Sequence, residues 1–388
     1  MTVPSPNPLY AAMPATIFEH MSALCRATGA INLGQGFPDD PPHPALTTAV
    51  ARAMTERSQQ YPPSPGVPEL RDAVAAFYGR TQGLALTRDH VIITSGATEA
   101  IAAAILALTS PGDEVLLFQP AYDAYAPLVR RAGAVPVFVD LHPPHWRYDR
   151  AAVEAAISPR TRAMIVNDPL NPAGTVASAQ ELAMLADVCT THGLFAICDE
   201  VWETVRFDGR RHASLLAQPG MDARTVKIGS AGKIFGATGW KIGWMVAAPQ
   251  LAQVTTRAHQ FLTFTTPPML QWAVAEALAD DAVTGELHAR WAQSRGVLNE
   301  GLVQAGFAVL PGVATWFTCV DLNASGIALD DRTFSDRMVA EAGVASIPVS
   351  ALWEGPGPRH VVRLCHCKPP ALLERALAAM ADWKVRLR

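Results

Sequence analysis

From about residue 52 to residue 280 the chain alternates short apolar runs with helix-length stretches. Residues 91–94, 114–118, 135–139, 163–167, 194–199 and 225–228 read as short buried strands. Between several of them lie helix-like segments, at 99–108, 122–132 and 179–190. Strands alternating with helices in this way predict a largely parallel sheet with helices on both faces. Pro and Gly punctuate the element ends, at Ser110-Pro111-Gly112, at Pro169 and at Pro172-Ala173-Gly174.

The pattern changes toward the C-terminus. One long helical stretch is expected from Leu270 to about Ala305, then strands near 315–321 and 361–365. A helix at 334–342 lies between those strands, and another at 371–384 closes the chain. That order predicts an α+β unit. The expected fold class is α/β, a large domain with a mostly parallel sheet between helices, plus a smaller α+β domain.

Composition narrows the function classes. At 388 residues the chain exceeds one simple core, so two domains are expected. A hydrophobic content of 49% with 17% charged residues fits an ordinary globular protein. The net charge of −4, with no basic block, argues against a nucleic-acid partner. The first ten residues show no basic-then-apolar signal pattern, and no apolar stretch is long enough to cross a bilayer. Six cysteines in a chain of this length do not suggest a disulfide framework. A cytoplasmic protein without a membrane partner is expected. Cys365-His366-Cys367 raises the question of a metal. Alternation along a strand would put the thiols on one face and the imidazole on the other, so no metal is expected.

Residues 230 to 244 carry the densest chemistry. Lys233 stands among Ser230, Ala231 and Gly232, just after the apolar run 225–228, and Lys241 follows behind Thr238-Gly239-Trp240. A lysine that reacts through its amine needs space and a way to lose its proton. Imine chemistry with a carbonyl cofactor is the usual reason. Two solvated lysines are the plain alternative, but glycines, tryptophans and small residues crowd both positions. Residues 92–99 run from a strand through small residues into a helix, a turn that either holds an anion or is an ordinary capped connection. Asp199 ends a buried apolar run, where a carboxylate is costly unless it meets a cation or caps a helix. Arg363 lies inside an apolar strand and needs an anionic partner. Asn167 to Gly174 is, as bare sequence, a turn.

The segment around Lys233 resembles the lysine motif of pyridoxal-phosphate aminotransferases of fold type I, in their class I/II branch. It is most similar to the group containing kynurenine–glutamine and methionine aminotransferases. The likeness runs from Ile31 to the strand around Arg363, with several motifs in the right order. It implies a seven-stranded-type sheet in the large domain and a homodimer with shared sites. It also implies an N-terminal arm (1–47) packed with the C-terminal small domain (285–388), around a large cofactor domain (48–284).

The resemblance also implies roles. Lys233 would hold pyridoxal 5'-phosphate, and Gly96, Ala97 and Thr98 would cradle its phosphate with Ser230 and Lys241. Asp199 would meet the ring nitrogen, Tyr122 would stack on the ring, Asn171 would donate to the phenolic oxygen, and Asn167 would lie close by. Tyr61 would reach the phosphate of the neighbouring subunit. Arg363 and the backbone of Gly36 would take the substrate carboxylate. Phe18 and Tyr122, with Phe264 and Thr265 from the partner, would line the side-chain pocket. Two positions depart from the family pattern: Asp168 stands for threonine, and Trp202 stands for a tyrosine that bonds the phenolic oxygen. An indole N–H can donate one hydrogen bond but cannot be ionised.

The function expected is a ping-pong transfer of an amino group from an L-amino acid of methionine, glutamine or aromatic type to a 2-oxo acid. A cysteine-conjugate β-lyase is the nearer rival, because the same cofactor can expel a β-substituent. A non-enzymatic regulator on this fold is the farther one.

Overall fold

The computed structural model describes residues 4–387. In chain order its strands are β1 (Ile31–Asn32), β2 (Val91–Thr94), β3 (Glu114–Gln119), β4 (Val135–Asp140), β5 (Thr161–Asn167), β6 (Phe195–Asp199) and β7 (Thr225–Ser230). They continue as β8 (Gly243–Val246), β9 (Ala308–Val309), β10 (Phe317–Asp321), β11 (Val344–Ala345), β12 (Ile347–Pro348) and β13 (Val361–Cys365).

The central sheet has seven strands in the order β2-β8-β7-β6-β5-β3-β4. From β4 through β7 every pairing is parallel, while β8 runs antiparallel to both β2 and β7. Strands β2, β3 and β7 are buried along their whole length, as strands between two helix layers should be, and take Glu114, Gln119 and Lys227 inside with their apolar residues. Each fully buried aliphatic side chain there contributes about 1.5–3 kcal/mol. The six apolar runs of the sequence all appear as strands with closely matching ends. The seventh, β8, does not follow from the pattern, because a four-residue run directly behind Lys241 and Ile242 carries no period of its own.

The single helix expected from residue 270 to about 305 is two helices, Pro268–Leu278 and Asp281–Gln304. The break falls at Ala279-Asp280, where the Asp280 carboxylate accepts from the amide of Ala282 and starts the second helix. The helix expected from residue 122 begins only at Tyr125. The second helix also runs through residue 284, so the chain passes the expected domain boundary without a loop. Residues 1–3 and 388, at the outer ends of the expected domains, lie outside the described residues.

The C-terminal part builds an antiparallel sheet in the order β12-β13-β10-β9. The N-terminal segment packs onto it: β1 pairs in parallel with β11, and helix Ile17–Thr28 lays Met21 and Cys25 against Val339, Ala345 and Ile347. Register then sets the site. The β5–β6 ladder pairs Asn167 with Asp199, and the β6–β7 ladder pairs Asp199 with Ile228, so Asn167, Asp199 and Ser230 end side by side. Ligands in open α/β sheets sit beyond such C-terminal strand ends. Among the described residues, no helix is long and apolar enough to cross a membrane.

Candidate active site

Beyond those strand ends lies a cavity of about 440 Å³. Phe18, Gly36, Gly96, Ala97, Thr98, Tyr122, Asn167, Asn171, Asp199, Trp202, Ser230, Lys233, Lys241 and Arg363 all line it. Chain distances of up to some hundreds of residues are thereby closed at one place.

One end of the cavity is built for an anion. Helix Gly96–Leu108 starts there, and its first amides have no earlier carbonyl to bond. Gly96 has φ +74, and a Cβ built on it would lie 3.1 Å from the amine of Lys241. That exposed amine has no ion pair among the described residues. Gly243 on β8 passes so close that a Cβ would lie 2.9 Å from the Cα of Gly96. Glycine at both positions lets the cradle close. The turn is pinned from the far side, where Glu99 accepts from the amide of Ser95 at 2.7 Å and contacts His259 Nδ1 at 2.7 Å.

The middle of the cavity presents Asp199, which is buried. Tyr125 donates its hydroxyl to Asp199 Oδ2 at 2.5 Å, and Asn167 donates its Nδ2 to the backbone oxygen of Asp199 at 2.9 Å. Asn167 Oδ1 in turn accepts from the amide of Asn171 at 2.8 Å. Burial raises the pKa of Asp199, opposed by the Tyr125 bond and by Lys233. A cation opposite this carboxylate would hold it ionised.

Lys233 makes no hydrogen bond or ion pair with the described residues. Its amine lies 4.9 Å from the ring centroid of Trp202 and 5.3 Å from that of Trp316. Burial pulls its pKa down to about 8. Trp202 packs edge-on against Trp316 and Phe317, at centroid distances of 5.0 and 5.2 Å, and its indole N–H has no partner among the described residues.

At the other end Arg363 donates to Asn171 Oδ1 at 2.9 Å and to the carbonyl of Gly34 at 2.6 Å. The anionic partner expected for it is not a protein carboxylate, since both acceptors are neutral. Its Nε is buried and unpartnered, and burial lowers its pKa to about 10. The guanidinium stacks on Phe317, 3.9 Å from the ring centroid, with Phe18 on another side at 5.1 Å. Phe317 also presses on Gly36, where a Cβ would sit 2.6 Å from the ring.

These unsatisfied groups fit pyridoxal phosphate. Free amides, the Ser230 hydroxyl and an unpaired lysine suit a phosphate, and a buried carboxylate suits a ring nitrogen. An unpaired buried amine suits an aldehyde, and the Asn171 Nδ2 and Trp202 N–H suit a phenolic oxygen.

Tyr61, Phe264 and Thr265 do not line the cavity. Tyr61 is 83% exposed and Phe264 41% exposed, and their rings meet edge-to-face at 5.5 Å on the surface. Sequence reasoning missed Tyr125, Asp123, Gln35 and Phe317, which do line it. Tyr125 and Phe317 read as core aromatics, whereas Asp123 next to Tyr122 was a polar residue at a strand–helix connection and could have been found. Cys365 and Cys367 lie together, Sγ to Sγ at 3.2 Å. His366 turns away, its Nε2 3.1 Å from the carbonyl oxygen of Thr315.

The family model described as aminotransferase class I and II matches residues 28–380. A probable N-succinyldiaminopimelate aminotransferase of Mycobacterium tuberculosis is 41% identical, covering 94% of this chain and 95% of its own. The methionine aminotransferase of Escherichia coli is 39% identical over 92% of this chain and 93% of its own. The solved structure of N-succinyldiaminopimelate aminotransferase from Mycobacterium tuberculosis superposes with a TM-score of 0.93 at 41% identity, covering 97% of this chain and all of the other.

Proposed function

The chain belongs to the class I and II aminotransferases, pyridoxal 5'-phosphate enzymes that act on amino acids and 2-oxo acids, and on that premise we propose a donor with a large neutral side chain. Methionine, glutamine and aromatic amino acids form that class. The relatives' names point to different donors, so the cavity carries the reading. Arg363 is clamped between Phe18 and Phe317, and among the described residues no second arginine lines the cavity to take a side-chain carboxylate.

The proposed division of labour follows from the partners. Arg363 binds the substrate carboxylate through its fork, helped by the backbone of Gly36, and its aromatic neighbours exclude water from that contact. Asp199, held by Tyr125 and Asn167, keeps its charge toward the cofactor ring, and Tyr122 covers one face. The Gly96 turn, Ser230 and Lys241 hold the phosphate. When bound, the cofactor supplies an electron sink that makes the substrate α-proton acidic. Lys233 carries that proton as base and then acid, a role suited to an amine whose pKa burial has brought to about 8. Alternating donor and acceptor at one site gives ping-pong kinetics.

A donor panel, followed by the absorbance change of the first half-reaction, tests the donor class. Methionine, glutamine and phenylalanine should exceed aspartate and glutamate in kcat/KM by about 10- to 100-fold. Dicarboxylic donors outpacing the neutral ones would overturn the reading.

Trp202 sets a second expectation. A phenol stabilises negative charge on the cofactor's phenolic oxygen more than an indole does, because it can itself share that charge. Trp202→Tyr should therefore lower the pH midpoint of the visible band of the cofactor held at Lys233. A midpoint that stays or rises would refute this.

We further propose a cytoplasmic homodimer in which Tyr61, Phe264 and Thr265 complete the partner's site. The division into residues 1–47 with 285–388, around 48–284, belongs to the same proposal.

A further inference from the structure

Beneath the turn that follows β6 lies a buried ion cluster that the reaction itself does not use. Asp199 at the end of β6 and Trp202 on that turn face the cavity, while Glu200 and Glu203 reach into the protein. There they meet Lys227, a fully buried residue of β7 whose ammonium bonds both carboxylates. Glu200 also accepts from Ser214 at 2.7 Å and contacts His212 Nε2 at 2.7 Å. Glu203 accepts from Tyr78 at 2.7 Å and from Gln82 at 2.6 Å, and Trp244 on β8 donates to the same Tyr78 hydroxyl at 2.8 Å. The Lys227 ammonium also lies 4.6 Å from the Tyr78 ring centroid. Glu200, Glu203 and His212 stand close enough together to hold a metal ion, but Lys227 already supplies the positive charge among them.

The placement has two consequences. Lys227 sits three residues before Ser230 on β7, and the carboxylates it bridges flank Trp202 on the turn after β6. The cluster therefore joins the strand end leading to Lys233 with the turn that follows Asp199 and bears Trp202. Electrostatically, Asp199 faces Tyr125, Tyr122 and Lys233, which all line the cavity, and Glu200 next to it in the chain. An unscreened Glu200 would make Asp199 easier to protonate.

We propose that Lys227 is a positioning residue for this site: bridging Glu200 and Glu203, it fixes the turn that leaves β6 behind Asp199 and carries Trp202, and it screens Glu200 from Asp199. The proposal rests on the reading of Asp199 as the partner of the cofactor's ring nitrogen. Protonating Asp199 weakens that pairing, so the acid limb of cofactor affinity, set also by Lys233 and the cofactor phosphate, moves when the Asp199 pKa moves.

The test measures the dissociation constant of added pyridoxal 5'-phosphate against pH, by quenching of tryptophan fluorescence, in the full chain. Lys227→Met removes the screening charge and should move the acid limb up by about one pH unit. Glu200→Gln keeps the side chain's shape but removes the anion that acts on Asp199, and should move the limb down. Opposite signs are the signature of screening. A purely structural Lys227 would lower the melting temperature and leave the limb where it is, which overturns the proposal. Should Lys227→Met fail to fold, Glu200→Gln decides alone: an unmoved or raised limb overturns the proposal. Asp199→Asn separates the two layers: the parts of the limb set by Lys233 and by the cofactor phosphate remain, while the two opposite shifts should vanish in its background. Shifts that persist in the Asp199→Asn background would overturn the reading of Asp199 as their source, and the screening role with it.

Discussion

Lys233→Ala should leave a folded protein whose turnover is lower by about 10⁴-fold or more, the loss expected when one residue is both nucleophile and proton carrier. The other lysines cannot replace it. Lys227 is held by Glu200 and Glu203, which raise its pKa and keep it charged. Lys368 bonds Asp39 and the carbonyl of Phe37, and Lys384 bonds the carbonyl of Gly306. Lys241 is exposed beside Gly96, at the anion end. Only Lys233 combines burial in the cavity with an amine that no carboxylate holds. The fold should survive, because truncation removes no hydrogen bond and relieves a buried amine of its desolvation cost. Its melting temperature without cofactor should therefore match or exceed that of the native protein. Borohydride reduction of the native, cofactor-loaded protein should fix the label on the peptide containing Lys233. Label on Lys227 or Lys241 instead would sink the assignment.

The strands of the central sheet were legible because parallel strands buried on both faces read as unbroken apolar runs. Two-residue strands such as β1, β11 and β12 were not, since a pairing that short leaves no pattern in a single segment. The helix break at Ala279-Asp280 was hidden because the apolar period resumes directly after it. Site residues were legible where a polar group stood in apolar surroundings: Asp199 at a strand end, Arg363 within a strand, Lys233 among small residues. Lys227 obeyed the same rule and was passed over, because it lies inside the run 225–228 and was absorbed into the strand. A lysine in a buried strand demands anions, and Glu200 and Glu203 were near in sequence to Asp199. Tyr125 gave no such signal, being one more aromatic at helical spacing. The surface position of Tyr61 and Phe264 follows from no periodicity at all.

Arg363→Ala should retain the cofactor but lose about 10²–10³-fold in kcat/KM, the effect of removing one partner of a buried charge pair worth roughly 2–5 kcal/mol. The guanidinium serves a cavity of its own chain, beside Asn171 and Gly34. Tyr61 lies outside that cavity, exposed against Phe264, and in the proposed dimer it bonds the phosphate in the partner's site. Tyr61→Phe removes one hydroxyl and should weaken cofactor binding by about 1–3 kcal/mol if it bonds the charged oxygen. The two defects therefore belong to different chains of any one site. In a mixed dimer, one site takes Arg363 from the Tyr61→Phe chain and Tyr61 from the Arg363→Ala chain, and is native. The other site carries both defects. After statistical exchange of equal amounts, about a quarter of all sites should be native, as two-fold symmetry requires. The assay is run at a cofactor concentration that fills native sites but not those lacking the Tyr61 hydroxyl, so the restored sites stand out. Native mass spectrometry establishes that mixed dimers have formed. If they form and activity does not exceed the average of the two parents, Tyr61 does not serve the partner's site and the shared-site dimer is wrong.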